Sequence, residues 1–428
     1  MVHLVGCIDQ FMHCSYVVAA QREIRYLMQF TLRGARLIDA TMDRADSAIT
    51  VNGVSIQGID SNDANGHLSI DASDTIIMPG FVEVHTHGGG GFNLHTHDVE
   101  EIASYARWIP TTGVTSFLIA VVGVAHALPE QQLGAAVCAI EQQQKGLAEP
   151  LGIHLEGPYI SEKRRGAHPL EWLRLPNEQE TRRILELTKQ HLRLVTLAPE
   201  LPGAEQLLHQ LLTAHVTVSI GHTDADYEQT QAAIKHGITH ATHCFNAMRP
   251  LLHREPGPLA AIAQAPQVLG EIIADGVHVH PAAVEMLVRM LGPERLIVIT
   301  DAQAIAGLHN DGGLFEFAEQ QAHVVNDAAY LANGTLAGSI LTMDQALRNM
   351  LAMTYVSLQE AIRMLTLNPA QSAGHASRKG KLQPGYDADL VIFDTSLALQ
   401  ATLCRGQVAF ANDKWRSRFA DVLTQSLK

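Results

Sequence analysis

Short apolar runs broken by turn residues open the readable part of the chain. Between Phe30 and Met78 they are interrupted at Asn52-Gly53, at Asn65-Gly66 and in two Asp-rich loops, a pattern that predicts a small β region. From Pro79 the rhythm changes. Apolar runs at Gly80–Val84, Ser116–Val122, Gly152–Leu155, Leu192–Leu197, Val216–Ile220, Ile238–His243, Glu271–Ala274 and Leu296–Thr300 read as strands. Segments of helical period lie between them at 128–146, 178–190, 202–214, 224–236 and 281–291. About eight β/α units over roughly 220 residues suit a (β/α)8 barrel of the TIM type. Residues 312–335 read as an inserted hairpin with a turn at Asn333-Gly334, and helices follow near 341–353 and 357–367. The β rhythm returns at Ala388–Phe393 and Ala401–Ala409.

The fold class is therefore α/β. The first and last strands of a barrel are neighbours, so β segments on either side of one can meet in space. This predicts a barrel over 79–367 and a small discontinuous β-sandwich built from the flanks 29–78 and 368–411. Residues 412–428 are left as a C-terminal tail. Residues 1–28 carry Cys7, Met12, Cys14 and Met28 without a clear period. They read either as an artefact of the gene start, with Met28 as the natural first residue, or as an extension packed on the surface.

Composition narrows the class. The chain has 428 residues, 46% hydrophobic and 17% charged, which is a globular balance. A formal net charge of -14 argues against non-specific nucleic-acid binding, which rests on Lys and Arg neutralising phosphates. A small anion held by a local basic pocket stays compatible with it. The apolar stretch Phe117–Ala125 is far short of the ~20 residues of a membrane helix, so no membrane association is expected. The five cysteines show no CxxC spacing, and no basic segment precedes the apolar residues of the N-terminus. Both features point to a reducing cytoplasm.

The 23 histidines matter by position. His85 and His87 close the first predicted barrel strand two residues apart, so their rings face one side. Glu156, His222, His243 and Asp301 each stand at or just after the end of a later strand. One imidazole at a strand end is ordinarily a hydrogen-bonded surface group, and Asp301 alone reads as a helix N-cap. Barrel active sites, however, are built at the C-terminal ends of the strands, and six such groups fall there together. A mixed imidazole and carboxylate set suits Zn²⁺, with Fe²⁺, Mn²⁺ or Co²⁺ as alternatives. A carboxylate beside such an ion can move a proton, so the set reads as metal-assisted hydrolysis.

These motifs are recognisable. Pro79-Gly80-Phe81-Val82-Glu83-Val84-His85-Thr86-His87-Gly88 resembles the first-strand motif of the amidohydrolase superfamily. Within it the chain resembles the N-acetylglucosamine-6-phosphate deacetylase family. The carrying motifs include His154-Leu155-Glu156-Gly157-Pro158, Arg165-Gly166-Ala167-His168-Pro169, Gly221-His222-Thr223 and Thr242-His243-Cys244-Phe245-Asn246-Ala247-Met248. Arg254-Glu255-Pro256-Gly257, Asp275-Gly276-Val277-His278, Thr300-Asp301-Ala302, Leu336-Ala337-Gly338-Ser339 and the run from Gly380 to Asp389 continue the series. The resemblance spans about residues 30–411.

It implies removal of acetate from a 6-phosphorylated N-acetylhexosamine. By the same resemblance Glu156, His222 and His243 bind the main metal, and Asp301 is the proton acceptor and donor. His168 and His278 contact the sugar, with Ala167 and Asp275 from the same motifs. Asn246, Ala247 and Arg254 hold the phosphate. Leu336, Ala337 and Gly338 lie along the sugar. The family forms dimers in which the phosphate-binding Arg often comes from the neighbouring subunit, so a homodimer with Arg254 acting across its interface is expected. Because His85 and His87 are both present, two ions per subunit, bridged by Glu156, are expected ahead of one.

Three competing readings stay open on sequence alone. One keeps the chemistry and changes the sugar to its galactosamine epimer. Another takes cyclic amides or N-acetyl amino acids, against which the Asn246–Arg254 segment argues. The third is a non-catalytic barrel, against which the filled ligand positions argue.

Overall fold

The computed structural model describes residues 29–60, 68–308, 314–317, 320–325 and 328–426. The expected extension 1–28, with Cys7 and Cys14, and the turn at Asn65-Gly66 lie outside the described residues.

Five strands come from the N-terminal flank: β1 (Gln29–Ile38), β2 (Asp43–Asn52), β3 (Ser55–Ile59), β4 (Leu68–Asp71) and β5 (Thr75–Pro79). Eight short strands follow, β6 (Phe81–Glu83), β7 (Val114–Val121), β8 (Glu149–Glu156), β9 (Leu192–Leu197), β10 (Thr217–Ile220), β11 (His240–Ala241), β12 (Leu269–Ile273) and β13 (Leu296–Ile299). They hydrogen-bond in sequence order, all parallel. Seven helices make the crossovers: α1 (Val99–Trp108), α2 (Glu130–Glu141), α3 (Glu178–Thr188), α4 (Ala204–Thr213), α5 (Tyr227–Lys235), α6 (Gly257–Gln264) and α7 (Pro281–Leu291). This is the expected (β/α)8 barrel. β7 and β8 are buried at every position, which is why they read as apolar runs without alternation.

The helices start where capping chemistry allows. Asp226 and Gln229 form a reciprocal capping box at α5, and Asn177 accepts from the Glu180 amide at α3.

The seam between β6 and β13 is closed differently from the other seven junctions. β6 ends at Glu83, earlier than the strand expected to carry His85 and His87. Beyond it the chain leaves β7 and bonds to the end of β13. The Asp301 amide donates to the His85 carbonyl at 2.9 Å, and the His87 amide to the Ala302 carbonyl at 2.8 Å. The buried Glu83 carboxylate accepts from the amides of His85 and Thr300, each at 3.0 Å.

A four-stranded antiparallel sheet interrupts the chain after the barrel: β14 (Leu314–Phe317), β15 (Gln320–Val325), β16 (Ala328–Leu331) and β17 (Leu336–Ser339). It is larger than the hairpin expected there. Ala322, Leu331 and Ala337 pack on Ala167, and the Gln320 side-chain amide donates to the Ala167 carbonyl at 3.1 Å. Helices α8 (Met343–Met353), α9 (Leu358–Leu365) and α10 (Leu367–Ser372) follow.

The C-terminal flank gives β18 (Leu390–Asp394), β19 (Leu399–Cys404), β20 (Gln407–Ala411) and α11 (Asp413–Ser426). β18 pairs antiparallel with β5, Leu390 facing Pro79, so the two flanks form one sheet ordered β20-β19-β18-β5-β1-β2-β3. β1 splits one edge between β4 and β5. The segment expected as a tail is a helix whose Trp415 and Phe419 are fully buried in this small core with Phe30, Leu32 and Leu403. Lys379, also buried, ties the two modules. Its Nζ lies 2.6 Å from Glu149 at the start of β8, 2.8 Å from Asp387 and 2.5 Å from Asp389. Among the described residues no helix is long and apolar enough to cross a membrane.

Candidate active site

Glu156, the last residue of β8, is only 3% exposed at the C-terminal mouth of the barrel, and five imidazoles surround it. Its Oε1 lies 3.1 Å from His222 Nε2 and 3.3 Å from both His243 Nε2 and His85 Nε2. Its Oε2 lies 3.2 Å from His87 Nε2 and 3.6 Å from His168 Nε2. Asp301 closes the group, with Oδ1 3.1 Å from His87 Nε2 and 3.7 Å from His85 Nε2. The six residues that the sequence places at strand ends thus meet at one point.

Local backbone makes this convergence. His222, His243 and Asp301 have φ of 47°, 28° and 50°, in the left-handed region that L-residues enter at a cost. Each follows a strand closely, so the chain turns sharply and holds the side chain over the strand end. Phe245 and Ala247 repeat the feature at 78° and 48°. Strain of this kind collects at functional sites.

The rings are fixed from behind. His222 Nδ1 donates to the Arg164 carbonyl at 2.9 Å, and His85 Nδ1 faces the Glu271 carboxylate at 2.9 Å. In both, a proton on Nδ1 leaves Nε2 facing Glu156, and in the neutral ring that nitrogen is the lone pair a cation needs. Apart from its 3.3 Å approach to Glu156, buried His85 Nε2 has no hydrogen-bond partner among the described residues. His222 Nε2 and His243 Nε2 face each other at 3.1 Å. Three imidazole nitrogens converging on one carboxylate oxygen form a donor set that a divalent ion fits. Three overlapping groups have ligand atoms within 4.8 Å of one another: His85, Glu156 and His243; His85, His87 and Asp301; Glu156, His168 and His222.

When the rings are protonated, the charges within the group compensate one another. Burial alone would push Glu156 up, but His85 and the hydrogen bonds from His168, His222 and His243 hold it well below the usual carboxylate range. Burial also acts against Asp301 ionising, yet His87 and His85 hold it at about 2. Asp301 is therefore a carboxylate at neutral pH. His168 is lowered, chiefly by burial, and stays neutral. Burial opposes charge on His278 too, but Asp275, 2.6 Å from its Nδ1, raises it.

A cavity of about 230 Å³ opens onto this group. His87, Glu156, His222, His243 and Asp301 form its floor; Ala167, His168, Asn246, Ala247, His278, Leu336 and Gly338 lie along its walls. Other predicted residues lie outside the lining. Buried His85 sits behind the floor, Asp275 stands behind His278, and Ala337 points into the small alanine cluster. Arg254 is exposed on the loop beyond Ala247. No Lys or Arg is among the described residues of the lining.

A match to the family described as "Amidohydrolase family" runs over residues 76–418. The chain belongs to the amidohydrolase family. It is a hydrolase, and the family's chemistry takes a divalent metal. An N-acetylglucosamine-6-phosphate deacetylase of Bacillus subtilis is 37% identical over 79% of this chain and 85% of its own length. An N-acetylgalactosamine-6-phosphate deacetylase of Escherichia coli O157:H7 is 36% identical over 78% of this chain and 88% of its own. Among solved structures, a mutant of the N-acetyl-D-glucosamine-6-phosphate deacetylase of Mycobacterium smegmatis, in complex with N-acetyl-D-glucosamine-6-phosphate, superposes with a TM-score of 0.84. It is 33% identical and covers 90% of this chain and 100% of its own.

Within this amidohydrolase site, sequence reasoning missed Gln303, Gly166 and Thr335, all in the lining. Gln303 is 3% exposed, and its Nε2 has no partner among the described residues. It lies under Gly338, where an added Cβ would come within 2.3 Å of that Nε2 and 2.8 Å of the Asp301 carbonyl. Gly338 has φ +69°, so glycine meets both demands. Only the position of Gln303 two residues after Asp301 could have marked it.

Proposed function

We infer that the chain hydrolyses the acetamide of N-acetyl-D-glucosamine 6-phosphate, consuming one water and giving D-glucosamine 6-phosphate and acetate in amino-sugar breakdown. The observation that carries the reading is the floor of the cavity. An ionised Asp301 lies beside a cluster of imidazoles on Glu156, open to a cavity large enough for part of a sugar.

Glu156, His222 and His243 would hold the principal ion, and His85 and His87 with Asp301 a second one, Glu156 lying between the two. Zinc suits this nitrogen and oxygen set best, with iron, manganese and cobalt compatible. When bound, the ion supplies Lewis acidity toward a carbonyl and lowers the pKa of water. Asp301 accepts the proton of the attacking water on its carboxylate. It returns that proton to the amide nitrogen as the C–N bond breaks, because an amine leaves poorly unless protonated. His278, held by Asp275, and His168 orient the sugar, while Leu336 and Gly338 shape the wall along it.

Asn246 and Ala247 face the phosphate. With no Lys or Arg among the described residues of the lining, its charge is met by Arg254 of a second copy in a homodimer. This chemistry fits a cytoplasmic enzyme. The galactosamine epimer is the second reading, supported by the 36% identity to the Escherichia coli enzyme.

Acetate release from N-acetylglucosamine 6-phosphate, its galactosamine epimer and unphosphorylated N-acetylglucosamine tests the reading, with metal analysis of the same sample. The glucosamine phosphate is expected to turn over fastest. Equal rates on the unphosphorylated sugar would sink the phosphate assignment, and faster turnover of the epimer would transfer the function to it.

A further inference from the structure

Glu271, on β12, lies behind the proposed metal ligands, and the proposed reaction gives it no part. It is completely buried, and three groups converge on it. Its Oε2 lies 2.9 Å from His85 Nδ1 and accepts from the His243 amide at 3.1 Å. Its Oε1 lies 2.9 Å from His240 Nε2. His240 is itself fully buried, and its Nδ1 lies 2.8 Å from Ser372 Oγ at the end of α10. A chain of buried contacts thus runs Ser372–His240–Glu271–His85 and ends at His85 Nε2, which faces Glu156 at 3.3 Å and Asp301 at 3.7 Å.

An ionised carboxylate can only accept, so the nitrogen of His85 that faces Glu271 must carry a proton. In the neutral ring the other nitrogen then keeps its lone pair toward the cluster. His85 stands just past the end of β6, where no strand ladder fixes its ring. The ring could otherwise rotate about its Cα–Cβ and Cβ–Cγ bonds. His243 is less dependent on Glu271, because the Cys244 amide donates to the backbone carbonyl of Glu271 at 2.9 Å and the Asn246 amide to the His243 carbonyl at 2.9 Å.

We propose that Glu271 is the positioning residue of the second metal subsite, holding His85 in the tautomer and ring orientation that let it bind the ion shared with His87 and Asp301. The inference rests on the reading of His85 as a ligand. Outer carboxylates of this kind change metal affinity by roughly 10- to 100-fold when removed.

The test is a double-mutant cycle on metal affinity, read by Zn²⁺ competition with a chromophoric chelator and by the absorption spectrum of the Co²⁺-loaded protein. Glu271→Met removes every acceptor at similar volume; Glu271→Gln keeps one acceptor oxygen and replaces it in the cycle if the Met variant does not fold. The weaker of two binding steps is expected to lose about 10- to 100-fold in Glu271→Met and at least as much in His85→Ala. Glu271→Gln is expected to lie between wild type and Glu271→Met. The double variant is expected to lose little more than His85→Ala alone, because the effect runs through His85. Wild-type affinity and Co²⁺ spectrum in the Glu271 variant would overturn the proposal. So would a Glu271 loss that adds in full to that of His85→Ala, the signature of a merely structural role. Wild-type metal binding in His85→Ala would instead remove His85 from the ligand set, and the proposal with it, leaving Glu156, His222 and His243 in place.

Discussion

Asp301 and His85, at opposite ends of the barrel sequence, are joined by a backbone hydrogen bond of 2.9 Å from the Asp301 amide to the His85 carbonyl. The bond spans the seam where the barrel closes. It sets the proposed proton carrier against the proposed first-strand ligands without using either side chain. Asp301→Asn therefore keeps the seam and removes only the carboxylate. Turnover is expected to fall by about 10³-fold or more, with metal content and melting temperature near wild type. Acetate release and metal analysis on one preparation check this; near-wild-type turnover would take Asp301 out of its role.

Arg254 is exposed and the described cavity lining holds no cation. Arg254→Ala is expected to raise KM for the phosphorylated sugar by roughly 10- to 100-fold, the worth of a lost charged hydrogen bond, with a smaller effect on kcat. If the residue acts across a dimer, mixing Arg254→Ala with Asp301→Asn chains creates sites that carry both wild-type groups. Activity of the mixture should then exceed the sum of the parts. A purely additive mixture would put Arg254 in its own subunit's site or outside any site.

Gln303 presents a buried amide, unpartnered among the described residues, to the cavity. Such a group costs stability unless something pairs with it, and substrate is the natural partner. Gln303→Leu should leave the melting temperature of the ligand-free protein unchanged or higher. KM for the sugar phosphate should rise by about tenfold, the equivalent of roughly 1.4 kcal/mol. Unchanged KM would show that the amide faces only solvent.

Lys379 neutralises Glu149, Asp387 and Asp389 where the barrel meets the β module. Lys379→Met takes the ion-pair partner from Asp389 and leaves Glu149 and Asp387 to Arg378, and is expected to destabilise the fold by about 3–5 kcal/mol in denaturant titrations. The pH dependence follows from Glu149. Burial pushes it up, but Arg378 and Lys379 outweigh burial and hold it below its ordinary 4.5. A carboxylate lowered by folding stabilises above its unfolded pKa, and that stability is lost as pH falls below it. Glu149→Gln should thus be less stable than wild type at pH 7, and the gap should narrow below about pH 4.5. A gap constant with pH would assign the effect to packing instead.

The alternation of apolar runs with helical segments determined the barrel, because each β/α unit must bury one strand and one helix face whatever its neighbours are. Residue identity at the strand ends brought out Glu156, His222, His243 and Asp301 as groups that would meet, because a parallel barrel puts all those ends on one face. The pairing of the flanks through β5 and β18 could be expected from barrel closure. The role of 412–428 could not, because Trp415 and Phe419 are buried by strands far away in sequence. Only the tertiary structure decided what orients the rings. Glu271 and Ser372 sit in apolar surroundings of sequence that carry no motif, and their meaning comes from the imidazoles they meet in space. The same holds for Gln303, whose lack of a partner is a fact about space. Hydrophobic periodicity is local and survives in one dimension, whereas hydrogen-bond satisfaction is a property of neighbours that only folding supplies.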